Sequence, residues 1–577
     1  MKFLCVLCVF CGCFLPCAAL DRHAFTFTHY DLNARIEPEQ QRLGVRGKIT
    51  LRNDSDSPQK SLSLQVSSTL NWISIQFEGK PVEFVSQTYT TDIDHTGALT
   101  EAIVVLPRAA PPRQTIELEI GYEGVIPQDA TRLTRIGVPA ETAKHSDWDQ
   151  IGGAFTAVRG IGYVAWYPIE TEATSLSERN SVFEEVGKWM QRERDAEMKV
   201  NLCQLGAATT ALMNNIVSGV PGGGMSGTSE GETVACCEHD YSPIGNVVPV
   251  IAMARFVELD NSDATIHYLP GNKSGADDYK LALEQVGPQI SNWFGDHRRT
   301  PNPKAEVIDL PDAQDAPFES GGMLLMPLMN NETTFLLSAA GQLTHLYFPS
   351  PREWISDGLA AYAQARYVEE EKGRDAGLVY LQSHRGGLIE AERQNLAASG
   401  DRSAGTSLIN APDEFLVQTK AMGVWWMLRD IVGETAFAAV LNKYNPHDDT
   451  RADYIQKLIE AQAHRDLEWF FDDWVYRDRG LPDLHIVSVY PREMVNGGYM
   501  VAVTVENQGA AGAEVPVTAH MAAGDATERL IVAGKSKATV RVVAPAMPQE
   551  ITVNDGSVPE SGTTVHVYKI EAQQVNH

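Results

Sequence analysis

The sequence predicts a multidomain chain: an N-terminal antiparallel β domain, an α-helical middle domain and a C-terminal β-sandwich. Three observations predict it. Apolar residues alternate with period two from Phe25 to about Pro127, and shorter strand-like runs continue to about residue 260. From about residue 276 the apolar spacing becomes helical, and after Gly480-Leu481-Pro482 it returns to two. At 577 residues the chain has room for roughly three to four domains of about 150 residues each.

The first part earns its assignment strand by strand. Ile49 and Leu51 alternate with Lys48 and Thr50, Leu62, Leu64 and Val66 with Ser63 and Gln65, and Ile116, Leu118, Ile120 and Tyr122 with Glu117, Glu119 and Gly121. Each run is bounded by Asn, Asp, Gly or Pro, the pattern of an antiparallel sheet with one wet face. Ile161–Val164 and Val247–Ile251 read as further strands, and Ser175–Trp189 as a helix. In the middle part, Ala276–Phe294 carries Leu281, Leu283, Val286, Ile290 and Trp293 at helical spacing, and a short strand follows at Ala305–Leu310. Thr333–Phe348 is a helix stopped by Pro349 and Pro351, and Glu353–Glu371 ends before Gly373. Asp413–Ile431 ends before Gly433, and Tyr454–Ala463 closes the set. In the last part Tyr499, Val501, Val503 and Val505 alternate with Met500, Ala502, Thr504 and Glu506, with Gly/Pro turns between short strands. The boundaries drawn this way are 1–19, 20–270, 271–480 and 481–577.

Residues 1–19 read as a secretory signal: Lys2, an apolar stretch Phe3–Leu15, then Pro16-Cys17-Ala18-Ala19. The expectation is a secreted or periplasmic protein after signal removal. Lipoprotein processing at Cys13 or Cys17 stays open, although neither follows a good Leu-x-Gly. No later run is apolar enough to span a bilayer, so an integral membrane protein is not expected. Lys+Arg 47 against Asp+Glu 75 gives −28, which repels phosphate backbones and argues against nucleic acid as a partner. Five of the eight cysteines lie inside the signal, leaving Cys203, Cys236 and Cys237. In an oxidising compartment Cys203 can pair with either Cys236 or Cys237, and a loop disulfide is favoured over a metal cluster at Cys236-Cys237-Glu238-His239. The Gly-rich stretch Gly222–Gly231 contains formal Gly-x-Ser-x-Gly and Gly-x-Gly-x-x-Gly matches. Neither has the strand and helix around it that a nucleophile elbow or a dinucleotide loop needs.

Three stretches carry a family resemblance. They are Thr115-Ile-Glu-Leu-Glu-Ile-Gly-Tyr-Glu-Gly-Val-Ile126, Trp354-Ile-Ser-Asp-Gly-Leu-Ala-Ala-Tyr362 and Phe470-Phe-Asp-Asp-Trp-Val-Tyr-Arg-Asp-Arg-Gly-Leu-Pro482. With the domain order, they make the chain resemble the zinc aminopeptidases of peptidase family M1, whose middle domain is thermolysin-like. The resemblance implies a zinc helix of the form His-Glu-x-x-His, in which two imidazoles one turn apart hold the metal and the Glu activates its water. The matching stretch here is Gly341-Gln342-Leu343-Thr344-His345. Gly341 replaces the first ligand, Gln342 the general base, and His345 alone survives. The third ligand position holds Asp357, with a shorter connection to His345 than the family has. Leu324, in Gly321-Gly322-Met323-Leu324-Leu325, replaces the Glu that grips a substrate amino group, and nearby Glu319 is the one acidic candidate to substitute. Gln418, before Thr419-Lys420-Ala421, replaces the oxyanion-stabilising Tyr.

None of the fifteen histidines is followed by Glu, so the zinc motif is written nowhere else. A Gln amide cannot take a proton from water, so base catalysis at Gln342 is lost. The catalytic set is therefore degenerate at Gly341, Gln342, Leu324 and Gln418, and His345 with Asp357 forms at most a vestigial metal pair. The leading expectation is an exported M1-like pseudopeptidase that binds a peptide or protein partner, with no cofactor. One alternative is an active zinc metallopeptidase whose rearranged site recruits a ligand such as Glu319. Another is a structural or adhesion protein in which the β domains do the work. As the bland alternatives, His345 is a satisfied helix histidine, and Asp357 pairs with Arg352 or Arg366.

Overall fold

The computed structural model describes residues 20–177, 182–205, 210–214, 225–229, 232–298, 303–398, 407–412, 414–495 and 497–570. The signal-like segment 1–19 lies outside these residues, as does much of the Gly-rich stretch; within it, Met225–Ser229 forms a strand. The N-terminal part is built on an eight-stranded sheet. Its order is Met225–Ser229, Glu232–Tyr241, Glu197–Leu205, Phe25–Glu37, Arg42–Asn53, Thr115–Val125, Leu70–Phe77 and Lys80–Pro81. Only the pairing of Phe25–Glu37 with Glu197–Leu205 is parallel in this sheet. A three-stranded sheet (Gln59–Ser67, Ala98–Ala110, Glu83–Thr90) shares its apolar core. The alternation read from the sequence is the physical cause: Ile116, Leu118, Ile120 and Tyr122 are buried while Glu117 and Glu119 face solvent.

Twelve α-helices are described: α1 (Thr131–Arg135), α2 (Ala140–Ser146), α3 (Val182–Glu193), α4 (Lys273–Phe294), α5 (Glu332–Tyr347), α6 (Glu353–Lys372), α7 (Arg374–Ser383), α8 (Arg385–Ala398), α9 (Glu414–Val432), α10 (Glu434–Lys443), α11 (Tyr454–Ala463) and α12 (Glu468–Phe471). The helices expected from apolar spacing stand within a few residues of their bounds, except that α3 begins later than Ser175. Ile161–Val164 is a turn, not a strand. Gly162 there has φ +93°, and Tyr163 and Val164 donate to the Gly160 carbonyl, a geometry that no sheet ladder permits.

The middle part adds a five-stranded sheet in the order Val257–Asp260, Ala264–Tyr268, Ala305–Asp309, Met323–Met326, Phe318–Ser320. Its first two strands precede residue 271, and Ala264, Ile266 and Tyr268 pack into the same core as α4, α5, α6 and α9. The helical unit's sheet thus starts earlier than the change of period indicates. The edge strand Phe318–Ser320 folds back antiparallel through Gly321 and Gly322, both at positive φ (59° and 80°), where a side chain would be strained. Asn331 caps α5 by accepting from the Thr334 amide at 3.0 Å. α6 and α9 pack at Gly358, where an added Cβ would stand 2.5 Å from that of Ala421, and Trp354 stacks on Trp425 at 5.0 Å. Two small sheets follow, Leu484–Glu493/Tyr499–Asn507/Ser536–Ala544 and Gly524–Val532/Ala513–Met521/Glu550–Val553/His566–Lys569. Their inward residues, such as Val503 and Val517, join one core with the helices. Among the described residues, no helix is long and apolar enough to cross a membrane.

Candidate functional site

α5 and α6 cross beside the edge strand Phe318–Ser320, and this crossing gathers three of the residues singled out in the sequence. His345 projects from the last turns of α5, Asp357 from the second turn of α6, and Glu319 from the strand. His345 Nδ1 lies 3.0 Å from Glu319 Oε1, and Nε2 lies 3.3 Å from Asp357 Oδ1. The three side chains are 27, 23 and 26 % exposed, so the group is reachable from solvent. Asp357 therefore pairs with His345; Arg352 goes to Asp449 at 2.7 Å, and Arg366 to Glu369 at 2.7 Å.

Desolvation opposes a charge on His345, but the carboxylates of Glu319 and Asp357 outweigh it and hold the imidazole well above its usual range. Glu353, one turn before Asp357 on α6, completes the electrostatics. Burial, and then the Asp357 carboxylate, push its carboxyl up to about 7, with Arg194 opposing. No sequence signal marked Glu353, since its only distinction is a burial that tertiary packing creates.

The structure places the other four positions singled out in the sequence as follows. Gln342 is 1 % exposed; its Oε1 accepts from the Tyr279 hydroxyl of α4 at 2.9 Å, and its Nε2 donates to the Glu306 carbonyl at 3.2 Å. Both ends of the amide are used inside the protein. A Cβ on Gly341 would stand 3.1 Å from Gln364 Nε2. Gln364 donates to the Leu337 carbonyl at 3.2 Å and accepts from the Tyr380 hydroxyl at 2.9 Å. Leu324 is buried in the helical core and pairs in register with Glu319. Gln418 is half-buried on α9, two residues before Lys420, whose buried ammonium bridges Glu392 and Asp478 at 2.6 Å each.

These residues do not fit a zinc ion. A zinc site takes at least three protein ligands, at about 2.0–2.2 Å for nitrogen and oxygen. His345 Nε2 makes no hydrogen bond and faces Asp357, which gives one edge of a coordination shell. Glu319, however, sits on the opposite ring nitrogen, and position 341 has no side chain. Among the described residues, the one group of three or more His, Cys, Asp or Glu side chains with ligand atoms within 4.8 Å of one another lies elsewhere, at His145, Asp312 and Asp315.

In the N-terminal sheet Cys203 faces Cys236 across paired strands, and the two form a disulfide; Cys237 is a free, half-buried thiol.

No family model and no curated protein matches the chain. Among solved structures, it is similar in shape to an M1 zinc metallopeptidase from Deinococcus radiodurans. The two are 18 % identical with a TM-score of 0.45, covering 81 % of this chain and 97 % of that one. A mutant of that enzyme bound to a Tyr-Ser-Ala substrate gives 16 % identity, the same coverage and the same TM-score. A mutant two-domain M1 zinc metallopeptidase bound to L-arginine gives 17 % identity and a TM-score of 0.42, over 77 % of this chain and 92 % of that chain.

Proposed function

We propose that this chain is an exported, M1-peptidase-like protein that binds a peptide or protein ligand and does not hydrolyse it. The observation that carries this reading is the clasp of His345 between Glu319 and Asp357, with the neighbouring Gln342 buried and bonded at both ends. Peptide hydrolysis at this place needs a base that can take a proton from water, and an amide whose oxygen already accepts from Tyr279 cannot do so. Binding needs less. Glu319 and Asp357 are partly exposed, so their outer oxygens are available to the N–H groups or cationic ends of a ligand. Export is supported by the apolar stretch Phe3–Leu15 and the Ala18-Ala19 that follows it.

The test uses the exported protein. The expected result is no chelator-sensitive turnover of aminoacyl reporter substrates, together with peptide binding that Glu319→Gln weakens. Any metal that co-purifies should be indifferent to His345→Gln. Chelator-sensitive hydrolysis that His345→Gln abolishes would overturn the reading, and mass spectrometry that finds residues 1–19 retained would overturn export by signal cleavage.

A further inference from the structure

We propose that His145, Asp312 and Asp315 form a binding site for a divalent transition ion, zinc or manganese, that latches the N-terminal part to the helical part. His145 stands in the last turn of α2, and the two aspartates stand in the connection from the strand Ala305–Asp309 to the strand Phe318–Ser320. More than 160 residues of chain separate them, yet their ligand atoms lie within 4.8 Å of one another. His145 Nδ1 is 3.0 Å from Asp315 Oδ1 and 3.9 Å from Asp312 Oδ1. Two ligand atoms bound to one zinc at about 2.0–2.1 Å in a tetrahedron lie roughly 3.3 Å apart, so the observed spacing brackets what an ion requires.

The site is braced from both sides. The Ala316 amide donates to the His145 carbonyl at 2.8 Å, and the Trp148 indole donates to the Ala316 carbonyl at 2.9 Å. These bonds fix the loop on α2 without using a ligand atom. Asp315 and Asp312 are tied by the Asp315 amide to the Asp312 carbonyl at 3.1 Å, and by the Asp312 amide to Asp315 Oδ2 at 3.3 Å. Outer hydrogen bonds of this kind orient ligating carboxylates. The Asp315 side chain is 6 % exposed, and His145 is the only side chain that meets it among the described contacts. Two carboxylates thus face one imidazole, Asp315 buried and Asp312 at the surface, an arrangement that a divalent cation would balance. Asp312 is 53 % exposed, which leaves an entry path and room for water to complete the shell.

One nitrogen and two carboxylate oxygens match the preferences of zinc or manganese, whereas calcium takes six to eight oxygens. The loop runs on into the strand that carries Glu319, so an ion here would also steady one side of the His345 clasp.

The experiment is calorimetric titration of the EDTA-stripped full chain with zinc chloride, manganese chloride and calcium chloride. The expected result is one equivalent of zinc, bound more tightly than manganese, with no uptake of calcium. Asp312→Asn leaves the exposed turn and its bond from the Gln314 amide in place, so the variant should fold. It should bind zinc at least about tenfold more weakly, as should His145→Gln, and neither should show the zinc-dependent rise in melting temperature of the parent. His345→Gln should bind as the parent does, which separates this site from the clasp. Absence of uptake by the parent, or uptake unchanged in Asp312→Asn and His145→Gln, would overturn the proposal.

Discussion

Replacing Gln342 by Glu should destabilise the protein, because of what the amide meets in the fold. The amide is 1 % exposed, accepts from Tyr279 at 2.9 Å and donates to the Glu306 carbonyl at 3.2 Å. An ionised carboxyl keeps the first bond, but turns the second into a contact between two acceptors at a buried position. Such burial raises a carboxyl pKa by about 2–3 units, and at 1.36 kcal/mol per unit this amounts to roughly 3–4 kcal/mol once the group must ionise. The sign follows from linkage: the introduced group has an unfolded pKa near about 4.3 and a higher folded one. Its penalty is absent below pH 4, grows as pH rises between the two values, and is complete above the folded value. The protonated carboxyl is isosteric with the amide and can donate to the Glu306 carbonyl, so the variant should match the parent at about pH 4. A chain of several units does not unfold in one step, so the measurement is the urea midpoint followed through the tryptophans of the helical part, at pH 4, 6 and 8. A variant within about 1 kcal/mol of the parent at pH 8 would refute the reasoning, because position 342 would then be solvated and open to a cleft.

Glu319→Gln should lower the His345 pKa by a unit or more in an NMR titration of the ring, and an unchanged value would remove Glu319 from the clasp. The sign is that of a raised imidazole pKa: the clasp's stabilisation is complete below about pH 6.5 and is lost as pH rises through the higher folded value. Glu353→Gln should leave stability unchanged near pH 4. At pH 8 it should raise it by about 3 kcal/mol, because a carboxyl pushed up to about 7 by burial and by Asp357 must otherwise ionise in place. A pH-independent effect in thermal melts would count against that account.

Helices α4, α5, α6, α9 and α11 were legible because each is long enough for a 3.6-residue apolar repeat to declare itself, with Pro349, Gly373 or Gly433 marking an end. α1 and α2 are too short for that repeat, and α10 begins immediately after the Gly433 that closes α9. The sequence marks Gly433 as a stop, whereas φ +83° makes it a corner between two helices.

The chemistry divides in the same way. The amino-acid sequence by itself determines which functional groups exist: no His is followed by Glu, position 341 has no side chain, and position 342 carries an amide. Those absences hold in any fold. Only the tertiary structure decides what the remaining groups meet: Glu319 on one nitrogen of His345 and Asp357 on the other, Gln364 against Gly341, Tyr279 on Gln342, and His145 against Asp315. The reason is physical. Periodicity reports which face of an element is apolar, but side-chain partners are chosen where distant elements cross, and there burial and neighbouring charge reset what each group can do.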